Sequence, residues 1–362
     1  MKVWVFPVSG GSFPKQLGLL DELIEQNTNH TNYGDKPDVS LASSGGNVSV
    51  YTALAGDYSI DGIERISRML NSNLFLSSWW PGPVDFLPSW TIGFFRGAAY
   101  NHGYGVDTIF NQIFTNQTIG REEIWTGTTN MDVSRAQLFC NRSKDKSVLN
   151  MKNFDPPLVG CTPPIYLDSN VDKIAQVSIA SASIPTVVPE QEVDGMPLYD
   201  GGVLYASPLT PLQNVIQGQR EGLHIIYFSS FDMDSECPPG SEVYTMSQIG
   251  TTTFDEIIRG LCVKDRLTGV ELIKSFGVVK TKSVIVDNRA RERDCIEKDD
   301  IIVNGKLSDM LALSKNSYSS LLELYPIGNE NDSLNLASFT GEDVVALLEK
   351  TRKHYGVRLW YV

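Results

Sequence analysis

Near its start the chain makes the same local pattern twice, and this constrains the fold more than any other feature. Val3-Trp4-Val5-Phe6 is an apolar run that closes on Pro7-Val8-Ser9-Gly10-Gly11-Ser12, after which Leu17, Leu20 and Ile24, with Leu19 and Leu23, recur at helical spacing. Pro37-Asp38-Val39-Ser40-Leu41-Ala42 then forms a second short run, Ser43-Ser44-Gly45-Gly46 a second sharp turn, and Val48, Tyr51, Thr52 and Ala55 a second apolar helix face. Consecutive strand–turn–helix units return the chain to the same sheet edge by right-handed crossovers, which predicts an α/β fold with a mostly parallel central sheet flanked by helices.

Further along, Glu123–Thr126, Ala136–Cys140 and Leu223–Phe228 read as strands and Val171–Ala180 as a helix. The texture changes at Ser235-Glu-Cys-Pro-Pro-Gly, which reads as a linker. Beyond it, Phe254–Cys262 and Gly269–Phe276 read as two helices, Ser283–Asp287 as a strand, and Thr340-Gly-Glu-Asp as the capping box of a last, charged helix that includes His354. The expected division is a core over residues 1–230 and a C-terminal helical extension, packed on it, over 231–362.

Composition excludes several classes. With 41% hydrophobic and 20% charged residues the chain reads as globular, and a net charge of −13 with no Lys/Arg cluster argues against a nucleic-acid partner. The same acidity disfavours electrostatic docking on anionic lipid, so contact with a bilayer would rest on apolar insertion. The five cysteines are scattered and form no C-x-x-C pair, which supports neither a disulfide framework nor a zinc site. Met1-Lys-Val-Trp-Val-Phe-Pro-Val is interrupted too early for a signal-peptide core, and no apolar run approaches the ~20 residues of a membrane span. The expectation is a cytoplasmic protein with peripheral contact to membranes.

Three short segments can carry chemistry. A serine at the tip of a strand-to-helix turn is a nucleophile elbow, and the residues two before and two after it must be small because the turn brings them together. With Ser44 at the tip those positions are Ala42 and Gly46; with Ser43 they are Leu41 and Gly45, and a leucine would clash, so Ser44 is the better nucleophile. Gly10, Gly11 and Ser12 offer successive backbone N–H groups for an oxyanion. Asp200 ends an apolar stretch and precedes Gly201-Gly202. No phosphate-binding glycine pattern is present, which disfavours a nucleotide.

Together these segments resemble the patatin-like phospholipase family over roughly residues 1–230. The stretch Pro37–Gly46 resembles its strand and elbow, with Ala42 where glycine is usual. Ala180-Ser181-Ala182-Ser183-Ile184-Pro185, followed by Val187-Val188-Pro189 and Tyr199-Asp200-Gly201-Gly202-Val203, resembles its second signature block. The glycine loop departs from the family pattern by carrying Ser9 or Ser12 in place of a third glycine, and its nearest basic residue is Lys15. The resemblance implies a three-layer α/β sandwich, a Ser44–Asp200 dyad without metal or cofactor, and phospholipid or another acyl lipid as substrate. Two alternatives stay open: a Ser–Asp–His esterase using His224 or His354, and an inactive lipid-binding relative. Trp79 and Trp80, in a proline-rich aromatic stretch, are candidates for an interfacial loop.

Overall fold

The computed structural model describes residues 1–28, 36–77, 98, 100–103, 122–149, 162–204, 209, 212, 222–232, 246–287, 307–328 and 332–362; within 246–258 and at 285 and 287 it describes the backbone alone. Trp79 and Trp80 lie outside the described residues.

The elements are, in order, β1 (Lys2–Phe6), α1 (Phe13–Thr28), β2 (Val39–Ser43), α2 (Gly45–Ala55), α3 (Ile60–Met69), α4 (Ser72–Phe75), β3 (Leu76–Ser77), β4 (Asn101–His102), β5 (Glu123–Asn130), β6 (Arg135–Cys140) and β7 (Ile165–Tyr166). There follow α5 (Val171–Ser181), β8 (Gln191–Val193), β9 (Met196–Asp200), β10 (His224–Phe228), α6 (Met246–Lys274), β11 (Lys280–Asp287), α7 (Leu307–Asn316), β12 (Ser320–Pro326), α8 (Gly341–Lys353) and β13 (His354–Tyr361).

One large sheet runs β11-β13-β12-β10-β1-β2-β5-β6-β7, with β9 on β5 and β8 on β9. Its five central strands, β12 to β5, are parallel, and antiparallel strands flank them. Both faces are covered, as a parallel sheet requires. Along β1 the alternation is visible residue by residue: Trp4 and Phe6 pack into the core beneath α1, α2, α5 and α8, whereas Val3 and Val5 pack into a second core with Cys262, Val270 and Ile273 of α6. This is a three-layer α/β fold.

Three departures from the sequence reading have physical causes. The two helices expected between 254 and 276 are one, α6, because Gly269 does not break it; its bare Cα lies against the side chains of Leu209 and Leu321 and lets the helix approach the sheet. Residues 231–362 contribute three strands as well as helices, and β12 and β13 extend the same sheet that β1 and β2 begin. Their alternation is hidden in sequence because β12 is buried along its whole length, Glu323 included, where Arg266 and Arg358 pair with it. His354, expected in the last helix, ends it and opens β13.

Candidate active site

Strand β5 brings the site together. One of its edges pairs with β6; the other pairs with β2 as far as Gly127 and then, from Thr128, with β9. The end of β2 and the end of β9 therefore converge on the same edge of one strand. Ser44 follows the first and Asp200 closes the second.

Ser44 sits between β2 and α2 at φ 54° and ψ −129°, a conformation a non-glycine residue adopts only when its surroundings hold it there. The turn closes because Gly46 has no Cβ: one there would collide with the carbonyl oxygens of Phe6 and Pro7 at the end of β1. Ala42, the other position that flanks the elbow, is fully buried, and its methyl packs into the core on the α1–α2 side. The Ser44 backbone N–H donates to Ser181 Oγ at 2.9 Å, and Ser181 donates in turn to the Gly127 carbonyl at 2.7 Å.

Asp200 is held from several sides. Its N–H donates to the Ser183 carbonyl at 2.9 Å, its own carbonyl accepts from Thr129 Oγ1 at 2.9 Å, and its Oδ1 accepts the Gly202 N–H at 2.6 Å. Glycine is needed in the turn that follows, since a Cβ on Gly201 would strike the Gly127 carbonyl and the Ser43 hydroxyl. Ser44 Oγ donates to Asp200 Oδ2 at 2.6 Å across 156 residues of sequence. Ser44 is 2% and Asp200 3% exposed. Burial pushes the Asp200 carboxyl up to about 7 from its ordinary value of 3.8, and the hydrogen bonds from Ser44 and Gly202 pull it back only in part.

The glycine loop lies beside the elbow. Gly10–Ser12 form a single 3₁₀ turn, with Gly10 at φ +49°; Ser12 N–H donates to the Ser9 carbonyl at 2.8 Å. Gln16 anchors the loop from below, donating to the Pro7 and Phe228 carbonyls and accepting from Ser49. Gly10, Ser44 and Gly45 border a cavity whose other walls are largely apolar, among them Phe13, Val48, Phe75 and Ile179. His102 also faces this cavity; its Nε2 is buried without a hydrogen-bond partner among the described residues, and burial holds the ring below its usual pKa. Lys15, the basic residue nearest the loop, is fully buried.

The histidines considered for a triad are placed elsewhere. His224 opens β10 level with Lys2 of β1 and contacts Ser320, so it lies at the amino ends of the parallel strands, about 13 Å down the strand direction from the elbow end of the sheet. His354 begins β13, four strands across from β2, or about 19 Å. Among the described residues, no group of three or more His, Cys, Asp or Glu side chains could hold a metal ion, and no helix is long and apolar enough to cross a membrane.

Sequence reading did not anticipate Ser181, Phe13 or His102 as neighbours of the site. Ser181 lies in the second signature block, but its bond to Ser44 spans 137 residues and leaves no local signal.

A search among curated proteins finds no match to the chain. A family model, described as Patatin-like phospholipase, matches residues 10–212. Because that match covers more than half of the 362 residues and contains both the elbow and the Asp-Gly-Gly turn, the chain belongs to the patatin-like phospholipase family, a family of lipid acyl hydrolases.

Proposed function

We propose that the protein hydrolyses carboxylic esters of phospholipids or related acyl lipids through a Ser44–Asp200 dyad and an acyl-enzyme. The observation that carries this reading is the 2.6 Å hydrogen bond from Ser44 Oγ to Asp200 Oδ2 at the edge of an apolar cavity.

The chemistry follows from the two environments. An ordinary aspartate is too weak a base to help a serine at neutral pH, but one pushed up to about 7 by burial is matched to the task. Asp200 takes the Ser44 proton as Oγ bonds to the ester carbonyl carbon. The resulting oxyanion is met by the backbone N–H of Gly10, which borders the cavity, and by that of Gly45 at the amino end of α2, where the helix dipole favours negative charge. Ser12 closes the loop's turn on Ser9 and so shapes it. Asp200 then gives its proton to the leaving alcohol oxygen as the carbon–oxygen bond breaks. A water molecule, losing a proton to Asp200, attacks the acyl carbon, releases the fatty acid and returns the proton to Ser44. No step needs a metal or a cofactor. The apolar walls would take the acyl chain, and the protein would meet its substrate at a lipid surface without spanning it.

The test is wild type against Ser44→Ala, Ser43→Ala and Asp200→Asn on mixed phospholipid and neutral lipid substrates, with labelling by a fluorophosphonate. Ser44→Ala and Asp200→Asn should each lose on the order of 10³-fold or more in kcat, whereas Ser43→Ala should retain turnover. Only Ser44 should take the label. Persistent labelling of the Ser44→Ala protein would overturn the assignment, and a wild type that neither labels nor turns over would favour an inactive lipid-binding role.

A further inference from the structure

The family match ends at residue 212, yet part of the wall around Ser44 is built from residues more than a hundred positions later. Leu336 and Phe339 face the same cavity as Ser44, from the segment that leads into α8. We infer that this segment, and the Phe339 ring above all, sets which acyl chains the Ser44 cavity accepts. The inference rests on the reading of that cavity as an acyl-lipid site.

The segment is held at both ends, at one of them against the glycine loop. The Leu334 N–H donates to the Gly11 carbonyl at 2.9 Å, and Gly11 presents a bare Cα to the Leu334 backbone, where a Cβ would collide with the Leu334 carbonyl oxygen. Five residues on, the Phe339 carbonyl accepts the Ser72 N–H at 3.0 Å, which ties the segment to α4. The next residue, Thr340, caps α8 in a reciprocal box with Asp343. A stretch held at the glycine loop, at α4 and at a helix cap cannot swing away without breaking all three attachments.

Between these attachments Phe339 is 3% exposed. Its ring stands edge-on to Phe13, with centroids 6.4 Å apart, and tilted against Phe75 at 5.9 Å. Phe13 and Phe75 are themselves cavity walls. Phe13 is also the first residue of α1, directly after the glycine loop. The three rings thus make one aromatic wall of the cavity. A ring fixed in this way stops a chain instead of yielding to it, because interiors are packed closely enough that a single group's volume decides what fits.

The experiment compares kcat/KM for p-nitrophenyl butyrate, octanoate and palmitate in wild type, Phe339→Ala and Phe339→Leu. Phe228→Leu is the control, since Phe228 is buried in the same core, stacks on Phe6 and does not face the cavity. The palmitate-to-butyrate ratio should rise by about ten-fold or more in Phe339→Ala, the scale on which pocket volume discriminates alkyl groups. Phe339→Leu should move it in the same direction by less, and it decides the matter if the alanine variant does not fold. Phe228→Leu should lower stability and leave the ratio alone. Unchanged ratios in both Phe339 variants, or an equal change in the Phe228 control, would overturn the inference. Displacement of a fluorescent fatty acid by butyrate, octanoate and palmitate, measured in a Ser44→Ala background with and without Phe339→Ala, separates the two readings. If wild type turns over none of the esters, the hydrolase reading fails, and this binding series still decides what Phe339 does.

Discussion

The Ser181 hydroxyl accepts the backbone N–H of Ser44 and so fastens α5 to the turn that carries Ser44. Because Ser181 also donates to the Gly127 carbonyl, one small side chain joins the helix, the turn and β5. Ser181→Ala leaves a buried N–H and a buried carbonyl without this partner. We expect a loss of about 1–3 kcal/mol in urea denaturation. Turnover should fall more than KM changes, since the strained turn is freed to relax while the cavity walls stay in place. An unchanged denaturation midpoint would show that the bond contributes nothing.

Activity should depend on pH through Asp200. In the proposed dyad the carboxylate form is the base, and burial places its pKa at about 7, so kcat/KM should climb as pH rises through about 7 and level off above it. Below that point the group already holds a proton and cannot accept one from Ser44. A rate profile that rises instead near the ordinary carboxylate value would mean that water reaches Asp200 during turnover.

Asp21 gives a stability prediction independent of the site. It lies on α1, fully buried, and neither carboxyl oxygen has a hydrogen-bond partner among the described residues. Burial pushes it up to about 8, with Glu64, Glu25 and Glu22 adding to the rise and Arg352 opposing it. A carboxyl raised in the folded state and ordinary in the unfolded one stabilises the fold only while protonated there. Stability from this group is complete below about pH 4 and is lost as pH climbs towards 8. Asp21→Asn should therefore melt higher than wild type at pH 9, by the equivalent of a few kcal/mol at most, and the gap should close at pH 4. Parallel melting curves at both pH values would show that the carboxyl is solvated.

The two small positions around the elbow should respond differently. Gly46→Ala places a methyl against the Phe6 and Pro7 carbonyl oxygens, backbone atoms that cannot yield without moving β1. Its expected outcome is an insoluble chain or one with a disrupted, inactive turn. Ala42→Gly removes a methyl already packed in the core and frees the backbone, so it should cost roughly 1 kcal/mol and keep activity. Thermal melts and ester turnover on the two variants check both halves.

Much of the fold is legible in the sequence. Val3–Phe6 and Val39–Ala42 declare two buried strands by composition, and each glycine turn marks where its strand must end, so the parallel α/β core follows from local periodicity. Leu41 against Ala42 was enough to prefer Ser44 over Ser43 at the tip. The C-terminal strands were less legible. β12 carries no polar alternation because both its faces are covered, and Glu323 inside it looks like a surface residue until Arg266 and Arg358 are seen beside it.

The sequence by itself determined the local turns, the order of the first units and the residue types that could react, since these depend on neighbours a few positions away. Only the tertiary structure decided that β9 takes over the β5 edge where β2 leaves it, and with it the meeting of Ser44 with Asp200. It alone placed Ser181 under the elbow and Phe339 in the cavity wall. Contacts between residues more than a hundred positions apart come from how strands choose edges and how helices fill the faces between them, and no stretch of sequence records that choice locally.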